Sequence, residues 1–192
     1  MTGPCRVLLI GMMGAGKSTT GHLLAARLGW PYLDSDDEIL RVTGRTVPQI
    51  WKADGEAAFR AQESRVLAAA TSSDGPVVIG VAGGAVLDPE NRSRVQQAGL
   101  VVWLRADVAV LALRVGDGAG RPLLEGDAAE AIRRLAAARA PVYAELADLT
   151  FDVDQLSPAQ VVDRIVAAVQ EYCPEDQEPS EDQFGPEDQA GA

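Results

Sequence analysis

The sequence predicts a three-layer α/β domain, a parallel sheet of about five strands flanked by helices, followed by a disordered acidic tail. Three observations lead there. Short apolar runs alternate with longer helical stretches. The strand candidates are continuously apolar rather than alternating, as in a sheet buried on both faces. A glycine-rich turn joins the first strand to the first helix.

In chain order, strands are expected at 6–10, 31–33, 77–81, 101–104 and 149–153. Helices are expected at 17–28, 36–42, 56–70, 90–97, 106–115, 128–146 and 158–172. Gly29 sits where the first helix needs a C-terminal cap. Ser157-Pro158 supplies an N-cap serine and a first-turn proline to the last. Gly116-Asp-Gly-Ala-Gly-Arg-Pro122 is too glycine-rich for an element and reads as a mobile loop between two helices.

The 192 residues suit one domain with a real core. No apolar run approaches the ~20 residues that span a bilayer. No signal-peptide core precedes a small-residue cleavage site, so the expected start is near Met1. The net charge of −11 divides unevenly. Seven acids and no base lie in 173–192, and without them the charge is −4. Neither part has the basic face of a nucleic-acid binder. The segment 173–192 repeats Glu-Asp-Gln at Glu175, Glu181 and Glu187 with almost no apolar residue, which is why disorder is expected there and a domain over 1–172. Cys5 and Cys173 stand at opposite ends without CxxC spacing. That argues against zinc and against a disulfide, and suits a reducing cytoplasm.

Gly11-Met-Met-Gly14-Ala15-Gly16-Lys17-Ser18 matches GxxxxGK[ST] in the required strand–turn–helix context, with Thr19 following. Glycines let backbone N–H groups turn inward around phosphate oxygens, at a helix N-terminus whose dipole favours them. Lys17 is placed to reach the β- and γ-phosphates, and the Ser18 hydroxyl to ligate Mg²⁺. Only Lys17 and Lys52 are lysines in this chain, which makes the match more telling. A nucleotide such as ATP is the expected ligand.

The strand at 77–81 runs into Ala82-Gly83-Gly84 and offers no acid for the metal. The carboxylates follow the second strand instead, as Asp34-Ser35-Asp36, at the strand edge where ligands bind in open α/β sheets. One can serve magnesium through water while the other holds an acceptor hydroxyl. Helix N-capping by Asp36 or Asp37 is the competing explanation, and the two can coexist. His22, the only histidine, is expected to face solvent.

Together these residues resemble the shikimate kinase family over about 5–170. The likeness rests on the P-loop GMMGAGKST, Asp34-Ser-Asp36, Gly55-Glu-Ala-Ala-Phe59-Arg60-Ala-Gln-Glu63, Val81-Ala-Gly83-Gly84, Arg121-Pro-Leu-Leu and Arg139-Ala-Pro-Val-Tyr143. The resemblance implies transfer of the ATP γ-phosphoryl group to the 3-hydroxyl of shikimate by a cytoplasmic monomer, with ATP and shikimate as its small-molecule partners. It implies that Asp36 binds the ring hydroxyls and acts as base or orienting acceptor. Arg60 and Arg139 would clamp the substrate, and Gly83 and Gly84 would offer N–H groups. Arg121 would reach over the phosphates from a lid at 116–124. Arg114 would lie against the adenine, near the loop 152–158, and Ser18 and Asp34 would serve Mg²⁺.

A planar guanidinium suits a carboxylic acid substrate. Arg60 could equally form salt bridges with Glu56 or Glu63 at helical spacing. Phe59 and Trp51 are core candidates that, by family analogy, wall the acceptor site. Ala82 departs from the family's triple glycine, and Leu156 stands where many relatives are polar. A positive φ at position 82 would strain alanine, whereas Gly83-Gly84 could absorb unusual dihedrals and leave the Ala82 N–H free. Kinases of a related cyclitol or polyol acid, and a non-catalytic nucleotide-binding regulator, are the rival readings.

Overall fold

The computed structural model describes residues 5–118, 121–124 and 126–173. Five strands form one parallel sheet in the order β2-β3-β1-β4-β5. They are β1 (Arg6–Ile10), β2 (Tyr32–Asp34), β3 (Val77–Gly80), β4 (Leu100–Arg105) and β5 (Leu149–Asp152). Seven helices flank them: α1 (Lys17–Leu28), α2 (Ser35–Thr43), α3 (Val47–Thr71), α4 (Pro89–Ala98), α5 (Val108–Val115), α6 (Ala128–Leu146) and α7 (Pro158–Tyr172). The expected α/β class is therefore found. The expected disordered segment lies, apart from Cys173, outside the described residues.

Continuous burial explains the sheet. Val7, Leu8, Leu9, Val78, Val102 and Leu104 are wholly buried, as strands covered on both faces must be. β1 is central, pairing with β3 on one side and β4 on the other. The chain order thus reverses beside β1, and its carboxyl end opens into the crevice where such sheets bind ligands.

Helices α1, α6 and α7 have the bounds read from the sequence. Gly29 caps α1 in the left-handed region at φ 70°, and Ser157 with Gln160 forms a reciprocal capping box on α7. The largest difference is α3, expected only from 56. It begins at Val47 behind a Thr46–Gln49 capping box and is broken at Gly55, where φ is 82° and ψ 178°. Glycine accepts that conformation, and a sequence scan reads the same glycine as a helix boundary.

A second difference concerns the cysteines. Cys5 and Cys173 form a disulfide, with Cα atoms 5.9 Å apart across a sequence separation of 168. Distance along the chain concealed this contact. β1 starts at the amino edge of the sheet, and α7 returns to that edge after β5 ends at the opposite one. Closing so long a loop restricts the unfolded chain. Cys173→Ser is expected to lower the unfolding free energy by about 2–4 kcal/mol. Urea denaturation of oxidised and reduced protein checks it, and coincident midpoints would show that the bridge adds no stability.

A small second core of Ile39, Ile50, Phe59 and Val66, with Val47 and Trp51 against it, joins α2 to α3. It lies apart from the main core built on the sheet. Among the described residues no helix is long and apolar enough to cross a membrane.

Candidate active site

The carboxyl edge of the sheet opens into a cleft of about 680 Å³. The P-loop enters it from β1, Asp34 and Asp36 from the end of β2, and Ala82-Gly83-Gly84 from the end of β3. Arg60 and Glu63 of α3 line it, as do Arg114 of α5, Arg139 of α6 and, between those two helices, Arg121. Every site position named from the sequence lines this one cleft: Gly14, Ala15, Gly16, Lys17, Ser18, Thr19, Asp34, Asp36, Arg60, Gly83, Gly84, Arg114, Arg121 and Arg139.

The P-loop needs its glycines for two distinct reasons. Gly14 and Gly16 have φ of 80° and 92°, a region unfavourable to other residues. A Cβ on Gly11 would lie 2.6 Å from the Leu104 carbonyl oxygen. Lys17 Nζ donates to the carbonyls of Gly11 at 2.9 Å and Met12 at 3.2 Å, folded back over the loop. Burial lowers its pKa from the usual value to about 8, against the opposing pull of Asp34 and Asp36.

A nucleotide phosphate beside Lys17 restores the cation, so binding must take up protons where the free protein has lost them. At about pH 9 we expect uptake approaching one proton per ADP, and little near pH 7. Calorimetry in buffers of different protonation enthalpy measures it. Equal uptake at both pH values would place the titrating group elsewhere.

Asp34, rather than Asp36 or Asp37, is the N-cap of α2: its Oδ1 accepts from the Asp36 N–H at 3.1 Å. Its Oδ2 accepts from the Ser18 hydroxyl at 2.9 Å. Two hard oxygen donors thus meet at the mouth of the phosphate loop. Among the described residues no three His, Cys, Asp or Glu side chains cluster as a metal cage. This fits magnesium, which keeps waters and phosphate oxygens in its shell and takes few protein ligands. Asp36 is open to the cleft, yet desolvation by the walls, then the neighbouring Asp34, raises its pKa while Lys17 and Arg121 pull the other way.

The two arginines expected to clamp the substrate differ in state. Arg60 does make the salt bridges anticipated as an alternative: Nη1 to Glu63 at 2.6 Å and Nη2 to Glu56 at 3.1 Å. It still lines the cleft, so structural pairing and cleft exposure coexist. Glu63 is 3% exposed, and burial raises its pKa against the attraction of Arg60. Arg139 is 2% exposed, and among the described residues no carboxylate is in ion-pair reach of it. Its Nε is buried without a hydrogen-bond partner among the described residues, and its Nη1 lies 3.9 Å from the Met12 sulfur.

One helical turn on, Tyr143 donates to the Gly83 carbonyl at 2.7 Å, and burial pushes its phenol up to about 12. The 81–84 turn works differently from the expectation. Neither Gly83 nor Gly84 has a positive φ, and Gly84 is at −94°. They are needed for close approach. A Cβ on Gly83 would lie 2.9 Å from Tyr143 Oη, and one on Gly84 3.0 Å from Arg60 Cζ. Nor is the Ala82 N–H free for a ligand, since it donates to Ser35 Oγ at 3.2 Å. Ala82→Gly should therefore change kcat/KM by no more than about twofold, as for substitutions that alter no special backbone geometry. Steady-state kinetics checks it, and a tenfold gain would mean that the methyl obstructs the substrate.

At the other end, Arg114 donates to the Gly14 carbonyl at 3.2 Å and lies 3.8 Å from Asp154. Val153, Leu156, Pro158 and Val161 give this end an apolar wall. Leu156 thus belongs to the surface available to a base ring. Arg121 N–H donates to the Gly118 carbonyl at 2.9 Å within the expected lid, of which residues 119 and 120 lie outside the described residues. His22 is exposed as expected, and its ring also meets Tyr32 edge-on at 4.5 Å.

A family model described as shikimate kinase matches residues 13–170. The shikimate kinase of Ruegeria pomeroyi is 46% identical over 165 residues, spanning 85% of this chain and 84% of the relative. That of Symbiobacterium thermophilum is 44% identical over 168 residues, spanning 86% and 96%. The structure of the Acinetobacter baumannii shikimate kinase in complex with shikimate superposes with a TM-score of 0.83 at 36% identity, covering 91% of this chain and 97% of that one. A gluconokinase from Sinorhizobium meliloti, at 19% identity and a TM-score of 0.52, shares the fold alone.

Proposed function

We propose the following roles on the premise that this chain belongs to the shikimate kinase family. The reaction is transfer of the ATP γ-phosphoryl group to the 3-hydroxyl of shikimate, giving shikimate 3-phosphate and ADP. The P-loop residues Gly14 to Thr19 cradle the phosphates, and Lys17 neutralises charge between the β- and γ-groups. Adenine lies between Arg114 and the apolar wall around Leu156 and Pro158. Arg121 approaches the phosphates from the lid segment. Ser18 and Asp34 would hold Mg²⁺, which when bound would offset charge on the transferring phosphoryl group.

Shikimate enters between Arg60, Arg139 and the Gly83-Gly84 turn, walled by Trp51 and Phe59. Arg139 binds its carboxylate. Asp36 accepts the proton of the attacking hydroxyl, and its raised pKa brings it nearer the working pH of a general base. One observation carries this reading: Arg139 is a buried guanidinium lining the cleft with no carboxylate in ion-pair reach among the described residues. Such a group is costly unless the ligand supplies the charge. Placement in the cytoplasm rests on the need for ATP, and the state of Cys5–Cys173 then follows the local thiol poise. A monomer is sufficient, since every group assigned comes from one chain.

The test is ADP release by purified protein given ATP, magnesium and, in turn, shikimate, a cyclitol, gluconate or no acceptor. Release with shikimate alone is expected. Release with another acceptor would transfer the assignment to it, and release with none would favour a nucleotide-binding regulator.

A further inference from the structure

We propose that Tyr32 is a positioning residue for magnesium binding, acting through Asp34. Tyr32 lies on β2 and does not line the cleft. Its hydroxyl donates to Asp34 Oδ2 at 3.0 Å, the same oxygen that accepts from Ser18. The Asp34 carboxylate is thereby held at three points, by the Asp36 N–H on Oδ1 and by two hydroxyls on Oδ2. These three bonds are not equivalent. Ser18 stands at the phosphate loop, and its hydroxyl donates its hydrogen to Asp34 while its oxygen lone pairs are left for a metal. The Tyr32 bond comes from a residue outside the cleft lining. Tyr32 thereby fixes the Asp34 carboxylate toward the metal site without competing for the ion.

The surrounding sequence makes room for this phenol. A Cβ on Gly21 of α1 would lie 2.6 Å from Tyr32 Cζ, and one on Gly80 would lie 3.2 Å from it. Gly80 pairs with Asp34 in the sheet, so its bare backbone lets the ring run alongside toward the carboxylate. His22 closes the outer side of the ring. Partners outside the first shell that orient a metal's ligands typically contribute 10–100-fold to affinity. Tyr32 supplies one of the three bonds that hold Asp34, so the lower end applies.

The inference rests on the assignment of Asp34 to magnesium, and the experiment separates the two. Calorimetric ADP affinity is measured over a magnesium series and in EDTA, for wild type, Tyr32→Phe, Asp34→Ala and the double variant, with circular dichroism verifying the fold. Tyr32→Phe keeps the ring and removes one oxygen. We expect its half-maximal magnesium concentration to rise about tenfold, with ADP affinity in EDTA unchanged. In the Asp34→Ala background the same change should have no further effect. If Asp34→Ala alters the magnesium dependence and Tyr32→Phe does not, the role of Tyr32 is overturned. A shift that persists without Asp34, or an equal loss in EDTA, overturns it as well. If Asp34→Ala itself leaves the magnesium dependence unchanged, the metal assignment falls and the inference with it.

Discussion

Replacing Lys17 with alanine is expected to reduce kcat about a hundred- to a thousandfold and to leave the folded state at least as stable. The first effect follows from removing the cation aimed at charge that develops during transfer, where a single preorganised donor is worth that much. The second follows from the sign of its pKa change. The folded value, about 8, lies below the unfolded one. The charge therefore opposes folding below pH 8, and the opposition fades as pH rises from there toward the unfolded pKa. Two hydrogen bonds to the Gly11 and Met12 carbonyls are lost with it, but those carbonyls face a cleft that water can enter. Thermal melts at neutral pH with turnover assays check both parts. Wild-type turnover in a folded variant would remove the kinase assignment, and a large fall in melting temperature would show that Lys17 braces the loop.

Arg139→Lys should raise the KM for shikimate while moving the KM for ATP by less than about twofold. Lysine keeps the charge but loses the planar fork. Losing one charge-assisted hydrogen bond costs about 1.5–3 kcal/mol, or roughly 10- to 150-fold in acceptor affinity. Arg60→Lys should cost less. Arg60 is already held by Glu56 and Glu63, so part of its bonding is spent within the protein whether or not substrate is present. Initial-rate kinetics with each substrate varied separates these effects. Equal losses for ATP and shikimate in Arg139→Lys would contradict a carboxylate-binding role.

This contrast between the two arginines marks where sequence reading ends. Both are legible as arginines in suggestive motifs, and helical spacing already offers Arg60 its pairing with Glu56 and Glu63, but nothing in the spacing tells that Arg139 is buried with no carboxylate in ion-pair reach among the described residues. Local signals carried far. The P-loop, the Gly29 cap and the Ser157-Pro158 start depend on neighbouring residues, so they predict helices whose bounds the structure repeats. Non-local facts stayed hidden. Cys5 and Cys173 meet because α7 runs back along the sheet, which no spacing rule contains. Gly83 and Gly84 were visible as a turn, but the reason for them lies in Tyr143 and Arg60, each far away in sequence. Tyr32 was read only as part of an apolar strand, since its value depends on where its oxygen ends.

The small core around Phe59 has a consequence for the timing of local opening. Ile39, Ile50, Phe59 and Val66 bury one another rather than joining the sheet's core, and Gly55 interrupts the helix that carries three of them. A cooperative unit of that size opens at lower free energy than the central strands. Backbone amides of α2 and of the first half of α3 should therefore exchange with deuterium well before those of β1 and β4. Arg60, on α3, and Asp36, on α2, hang from this looser unit, while Lys17 and Arg139 are anchored to the main one. Shikimate bridging Arg60 to Arg139 would fasten the two together. Exchange protection in α2 and α3 should then rise on binding the acceptor much more than on binding nucleotide alone.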